Sequence, residues 1–223
     1  MQLPSTYLLA LLPFEPEYFE PSGLPTTFVG HPVIEFDMAS VNGIEFRERH
    51  GLEISTPLIC VLPGSRKGEI RRHLKPFCKA VQLLRISRPN INVVIPTIPG
   101  LKREIVRAVE GWNVNVIVVE GAASKFSAMA ASNVALAASG TVALELALAR
   151  VPSVIAYKVN TITFWIVKFL VSGKYANLVN VLLNKEAVPE FLQDECNGKN
   201  LAESIDNLLK DEKDFTHFTN FLF

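Results

Sequence analysis

What this sequence lacks narrows it first. Its 22 basic and 22 acidic side chains cancel over 223 residues. There is no basic excess to hold a nucleic-acid backbone, although a local basic patch for phosphate stays open. Cysteine is scarce: Cys60, Cys78 and Cys196 are odd in number and widely spaced. No pair has metal-ligand spacing, so the reading is a reduced, cytosolic protein rather than a disulfide scaffold. The four histidines, His31, His50, His73 and His217, are scattered. No serine sits in a G-x-S-x-G elbow, so no nucleophile triad is found by motif. The GxxxxGK[ST] spacing of a Walker loop is missing. Neither a metal nor a cofactor is expected. There is no internal repeat and no low-complexity linker. The opening MQLPSTYLLALLPFEPEYF has no basic n-region and no small-residue cleavage site, so it does not read as a signal peptide.

One long uncharged run stands out, from Lys125 to Glu145. That is roughly the length of a membrane span. It holds Ser127, Ser132, Asn133, Ser139, Gly140 and Thr141 and is otherwise mostly alanine. Its hydropathy is weak for insertion, and the Gly-Thr step reads as a break between elements. The expectation is helix, strand, helix.

The rest of the chain alternates in the same way. With 49% hydrophobic residues it can bury a large core. Strands are expected at 7–12, 26–29, 58–62, 91–95, 114–119, 134–137 and 153–157. Helices are expected at 67–86, 101–109, 124–131, 141–149, 162–171 and from 200 onward. Strands separated by helices imply βαβ units: an α/β fold with a Rossmann-like, doubly wound parallel sheet. Ligands of such sheets lie at the carboxyl ends of the strands. The prolines at 13, 16, 21, 25 and 32 make a string of turns that joins two early strands to the main sheet. Those two strands read as the remnant of a neighbouring domain.

Several stretches carry candidate chemistry. In VLPGSRKGEIRRHLKPF a strand runs through a Pro-Gly turn into a helix, with Ser65 read as its N-cap. Free N–H groups and the positive dipole end suit an anion, and Arg66 adds a planar fork for phosphate oxygens. Glu69 falls one residue beyond capping-box spacing counted from Ser65. The competing reading is a capped surface helix with a solvated arginine. In ASGTVALELALA, Gly140 permits close backbone approach, while Ser139 and Thr141 place hydroxyls beside free N–H groups. Glu145 shares a helix face with Thr141. A lone carboxylate in so apolar a helix needs a partner or a ligand; the competing reading turns it to water. His31 ends a strand in a tight turn, where it would meet a phosphate or serve a structural role. The stretch YKVNTITFWIVKFLVSGKY sets aromatics beside Lys158, Lys168 and Lys174. It suits a membrane interface, a core or a subunit contact. Beyond it, Asn180, Glu186 and Gln193 are polar loop residues that could hydrogen-bond a sugar.

Taken in order, LPFEPEYFEPSGLPTTFVGHPVIE, LPGSRKGEIRRHLKPF, ASGTVALELALARVPSVIAYKVNTITFWIVKFLV, NLVNVLLNKEAVPEFLQDEC and NLAESI resemble the C-terminal part of the lipid-A-disaccharide synthase family. The set spans nearly the whole chain. The resemblance implies the C-terminal domain of a B-type glycosyltransferase fold, built from two Rossmann-like halves facing a cleft. It implies an inverting, metal-independent transfer of 2,3-diacylglucosamine from UDP-2,3-diacylglucosamine to 2,3-diacylglucosamine 1-phosphate, giving a β-1,6 disaccharide at the cytoplasmic face of the inner membrane. By match, Ser65, Arg66, Ser139, Gly140 and Thr141 would hold the donor diphosphate and Glu145 the ribose. His31, Asn180, Glu186 and Gln193 would touch sugar or phosphate. Val179 stands where the family pattern has proline.

The expected layout is a crossover segment and domain remnant at 1–34, a donor-binding domain at 35–200 and a helical tail at 201–223. The family begins with a further domain of roughly 150 residues, an ordinary domain size. That domain carries an SGDxxGA stretch and the acidic base, and neither is in this sequence. The expectation is therefore a chain that binds donor and turns over little alone, as a split product, a remnant or a fragment. Its partners would be the acceptor lipid, the inner membrane surface and an N-terminal half or a second copy, with no nucleic acid. A UDP-sugar epimerase of the same fold and a non-catalytic UDP-binding module are the alternatives.

Overall fold

The computed structural model describes residues 7–138, 141–158 and 175–210. The chain forms two compact units, Met1–Met38 and Ala39–Phe223.

The smaller unit pairs β1 (Leu8–Ala10) with β2 (Thr26–Phe28) in parallel, Leu8 opposite Thr26. β1 is shorter than the expected 7–12. The Glu15 carboxylate accepts the N–H groups of Leu11 (2.7 Å) and Leu12 (2.8 Å), which turns the chain into α1 (Glu15–Phe19). Pro16 sits in its first turn, where a missing N–H is harmless. Ala10 is buried, while Leu9 and Phe28 stay exposed.

The larger unit holds six parallel strands: β3 (Leu58–Leu62), β4 (Asn92–Thr97), β5 (Asn115–Glu120), β6 (Val134–Ala137), β7 (Ser153–Tyr157) and β8 (Glu190–Leu192). Their spatial order is β5-β4-β3-β6-β7-β8. Counted from β3, this is the 3-2-1-4-5-6 order of a doubly wound sheet, and the winding reverses between β3 and β6. β3 reads LICVL because it is covered on both faces, and all five residues are buried. On one face α3 (Lys67–Ser87), α4 (Lys102–Val109) and the helix Gly198–Lys210 enclose Ile59, Val61, Val93, Ile95, Val134 and Leu136. α5 (Ala122–Ala131) packs against β3, β4 and β5, and α2 (Gly43–Arg49) packs on α5.

The long uncharged run is α5, β6 and α6 (Val142–Leu148). Among the described residues no helix is long and apolar enough to cross a membrane. Asn133 makes the break between α5 and β6, its Oδ1 accepting the N–H of Leu58 at 2.9 Å. The expected 162–171 helix, residues 159–174 of the aromatic stretch and the tail beyond residue 210 lie outside the described residues.

Besides the five-residue α1, three elements of the larger unit were not anticipated. α2 is a seven-residue helix started by Asn42, whose Oδ1 accepts from Ile44 N and Glu45 N, each at 3.0 Å. The helix Leu178–Leu183 is six residues long, and the edge strand β8 only three. None is long enough to print a period on the sequence.

α2 also delivers Arg47 to the interior. Its guanidinium donates to Ala131 O (2.8 Å), Glu53 O (2.8 Å), Thr56 O (2.9 Å) and Asn133 Oδ1 (2.8 Å). One side chain thereby ties α2, the 53–56 turn, the end of α5 and the entry to β6.

Candidate functional site

A cavity of about 600 Å³ opens at the carboxyl ends of β3, β4, β5 and β6. That volume suits a nucleotide-sized ligand, and the place is the one where the sheet changes direction. Its walls are the loops after the strands: Gly64 to Arg66 after β3, Pro96 to Pro99 around the end of β4, Gly121 to Lys125 after β5, and Ala138 with Thr141 to Glu145 after β6. Ser65, Arg66, Thr141 and Glu145, predicted apart in sequence, therefore share one cavity. Ser139 and Gly140 lie outside the described residues, between Ala138 and Thr141 of the same wall.

The β3 loop turns on Gly64, at φ +117. The sequence reading put Ser65 at the N-cap of α3; the structure puts Arg66 there. Counted from Arg66, Glu69 is at N3, so the apparent one-residue offset disappears. The Glu69 carboxylate accepts the N–H groups of Ser65 and Arg66, both at 3.3 Å. These are long bonds to groups that a bound anion would also use. Arg66 pairs with Glu69 at 3.1 Å, but its side chain is 83% exposed. So loose a pair leaves the guanidinium free to turn to a ligand.

Glu145 needed a partner, and it has one. Lys125 Nζ lies 2.6 Å from Glu145 Oε1, with both side chains mostly buried. The helix around it is less enclosed than its alanines and leucines imply: only Ala143 and Leu146 of α6 are fully buried. Lys125 escaped sequence reasoning because its only local signal is a cation in the first turn of α5. Thr97, at the end of β4, also borders the cavity. Its hydroxyl is the one buried side-chain polar atom among the described residues without a hydrogen-bond partner.

His73, on α3, braces the β3 loop from behind. The Lys158 N–H can only donate, and it lies 2.9 Å from Nε2. The proton must then sit on Nδ1, which donates to Pro63 O at 3.0 Å. The ring also stacks between Phe77 and Tyr157. Burial pushes its pKa below the ordinary 6.5, outweighing the raising effect of the Pro63 carbonyl. Because the folded pKa is depressed, the folded state binds this proton less readily than the unfolded chain. Stability is therefore full above about pH 6.5 and falls as the pH drops toward the lower folded value. Each pH unit within that window removes up to about 1.4 kcal/mol for one proton. In urea titrations at stepped pH, His73→Gln is expected to flatten this segment of the curve.

The remaining candidates lie elsewhere. His31 belongs to the smaller unit, where its Nδ1 accepts Val33 N at 3.1 Å and caps a short turn. Asn180 is fully buried. Its Nδ2 donates to Val188 O (2.8 Å) and Glu190 Oε1 (2.6 Å), and its Oδ1 accepts Ala187 N and Val188 N, both at 2.8 Å. That uses its full hydrogen-bonding capacity on the fold. Val179 lies in the helix Leu178–Leu183, whose start Asn177 caps by accepting Asn180 N. Glu186 is exposed, and Gln193 follows β8 with φ +50. Neither lines the cavity.

A 3-2-1-4-5-6 parallel sheet with a nucleotide-sized cavity at its reversal is a Rossmann-like domain, and its likeness to solved structures makes it one of the B-type glycosyltransferase fold. WaaG, a glycosyltransferase involved in lipopolysaccharide biosynthesis, superposes with TM-score 0.60 at 15% identity, over 96% of this chain and 56% of its own. A UDP-GlcNAc 2-epimerase from Neisseria meningitidis, solved with UDP-GlcNAc bound, gives 0.65 at 12% identity, again over 96% and 56%. Within that fold the chain belongs to the lipid-A-disaccharide synthetase family, whose sequence profile matches residues 5–219. It is 47% identical over 205 residues to the lipid-A-disaccharide synthase of Rhodospirillum centenum, covering 92% of this chain and 51% of that protein. Against the synthase of Paramagnetospirillum magneticum the identity is 47% over 207 residues, covering 92% and 53%. The chain thus spans about half the length of the curated relatives it matches.

Proposed function

We propose that this chain is the donor-binding half of a lipid-A-disaccharide synthase. It binds UDP-2,3-diacylglucosamine, and with an acceptor-side half it transfers the sugar to 2,3-diacylglucosamine 1-phosphate by inversion, forming a β-1,6 link. The observation that carries this reading is the cavity at the β3/β6 reversal, with Arg66 on one wall and Glu145 on another. The diphosphate lies between the β3 and β6 loops, against the backbone of Ser65 and the Ser139-Gly140-Thr141 stretch. Arg66 leaves Glu69 and takes the phosphate oxygens by its fork. Glu145 accepts hydrogen bonds from the ribose hydroxyls. Among the described residues the two cations and two carboxylates of the cavity cancel one another, so helix N-termini supply much of the field that receives the anion.

An inverting transfer needs a base within about 3 Å of the acceptor hydroxyl. Glu69 and Glu145, the carboxylates of this cavity, both face donor-side groups. The base therefore comes from the acceptor half, and the reaction takes place at the cytoplasmic face of the inner membrane, where both lipids lie. The exposed Leu9 and Phe28 on the smaller unit's parallel strands are consistent with further strands covering them.

Calorimetric titration with UDP tests the donor site. Saturable binding is expected, weakened about tenfold or more by Arg66→Ala through loss of a charge-assisted pair. No UDP binding by the wild-type chain would refute the reading. Transfer assays with and without the acceptor half of a relative added in trans test the division of labour. Full transfer by this chain alone would overturn it.

A further inference from the structure

We propose that Lys125 is a positioning residue for the nucleoside part of the donor: it holds Glu145 by one carboxylate oxygen and leaves the other turned to the ribose. The inference rests on the donor-site reading above and adds a residue to it.

Lys125 and Glu145 stand in the first turns of α5 and α6, on two adjoining walls of the cavity. Their contact is 2.6 Å, between Lys125 Nζ and Glu145 Oε1. The side chains are only 27% and 19% exposed, so neither leaves the other without stranding a charge in a half-buried site. A cation in a helix's first turn opposes the dipole, and α5 has no first-turn acid and no side-chain cap to offset it. Lys125 therefore does nothing for its own helix; its favourable partner is Glu145. Its other close neighbour is the Phe126 ring, 4.9 Å from Nζ, which further restricts the ammonium.

The contrast with Arg66 separates the two roles. Arg66 is 83% exposed and loosely paired, so it can swing to an incoming diphosphate. Lys125 is enclosed and tightly paired, so it stays. A ribose offers two adjacent hydroxyls, and a carboxylate receives them in a fixed geometry only if its plane is fixed. Holding Oε1 fixes it. The lysine then sets a preference for ribonucleotides without touching them.

The test titrates UDP, 2′,3′-dideoxy-UDP and inorganic pyrophosphate into the wild-type chain, Lys125→Met, Lys125→Arg, Glu145→Ala and the Lys125→Met/Glu145→Ala double variant. Melting temperatures are recorded throughout. Lys125→Gln, which keeps a donor without the charge, is read in place of the methionine variant if that one melts early. Lys125→Met and Glu145→Ala should each weaken UDP about tenfold. Neither should change dideoxy-UDP or pyrophosphate. The double variant should be no weaker than Glu145→Ala alone, and Lys125→Arg should restore most of the affinity. Equal losses for UDP and pyrophosphate would make Lys125 a phosphate ligand and overturn the proposal, as would losses that add in the double variant. A silent Lys125→Met beside an impaired Glu145→Ala sinks the lysine's role alone. If Glu145→Ala keeps full UDP affinity, the ribose reading itself falls and takes the proposal with it.

Discussion

Arg47→Met lowers the unfolding free energy by about 3–5 kcal/mol, the range for breaking a buried charged network. Arg47 is 6% exposed, and among the described residues it has no carboxylate partner. Its charge is instead spread over four carbonyls, the weakest that of Ile54 at 3.4 Å, and the Asn133 amide oxygen. Burial lowers its pKa, yet a guanidinium keeps its proton. Methionine fills much of the volume but leaves those acceptors facing it. The Glu53 carbonyl keeps the Thr56 N–H (3.1 Å) and the Asn133 amide oxygen keeps the Leu58 N–H (2.9 Å), so the loss falls mainly on the Ala131 and Thr56 carbonyls. Each unmet buried acceptor costs about 1–3 kcal/mol, reduced where water enters. Lysine should recover little, because one ammonium cannot reach acceptors that a planar fork spans. Urea denaturation should show the midpoint falling at unchanged slope. A midpoint within error of wild type would mean that α2 is not held through this side chain.

Arg47 also marks where sequence reading stops. β3 was legible because LICVL has no polar residue to expose, and α3 because Ile70, Leu74, Phe77, Val81 and Leu84 repeat at helical spacing. Parallel topology followed from the alternation, and the site's location followed from the topology. Ser65, Arg66, Thr141 and Glu145, which share the cavity, could be singled out because strand-to-helix turns lie where such sheets bind ligands. Lys125 could not be, since its meaning depends on its reaching Glu145 from another helix, and no spacing along the chain encodes that. Asn180 was read as a sugar contact for the opposite reason. A polar residue in a loop pattern looks free until the carbonyls and carboxylate that saturate it are brought close by folding. Arg47 has the same character: a basic residue in a short amphipathic run reads as solvated until its acceptors arrive from three other segments.

Gly64→Ala is expected to lower stability by about 2–4 kcal/mol and to weaken UDP by more than tenfold, by backbone strain plus a steric clash. The two effects have one origin. At φ +117 an L residue is strained whatever space surrounds it. Space is lacking as well: a Cβ here would lie 2.8 Å from Glu69 Cβ and 2.8 Å from its Oε2. The carboxylate end could swing away, but Glu69 Cβ is fixed to the first turn of α3, so the loop itself must move. Moving it breaks the bonds from Ser65 N and Arg66 N to Glu69 and shifts the groups proposed to receive the diphosphate. Gly64→Ala/Glu69→Ala separates the contributions. It removes the clash with the carboxylate while keeping the Cβ contact and the φ strain. Stability should therefore return only in part, and UDP affinity should stay low. Full recovery of both would mean that the carboxylate alone required glycine. The backbone bend after β3 would then be incidental to the anion site rather than its foundation.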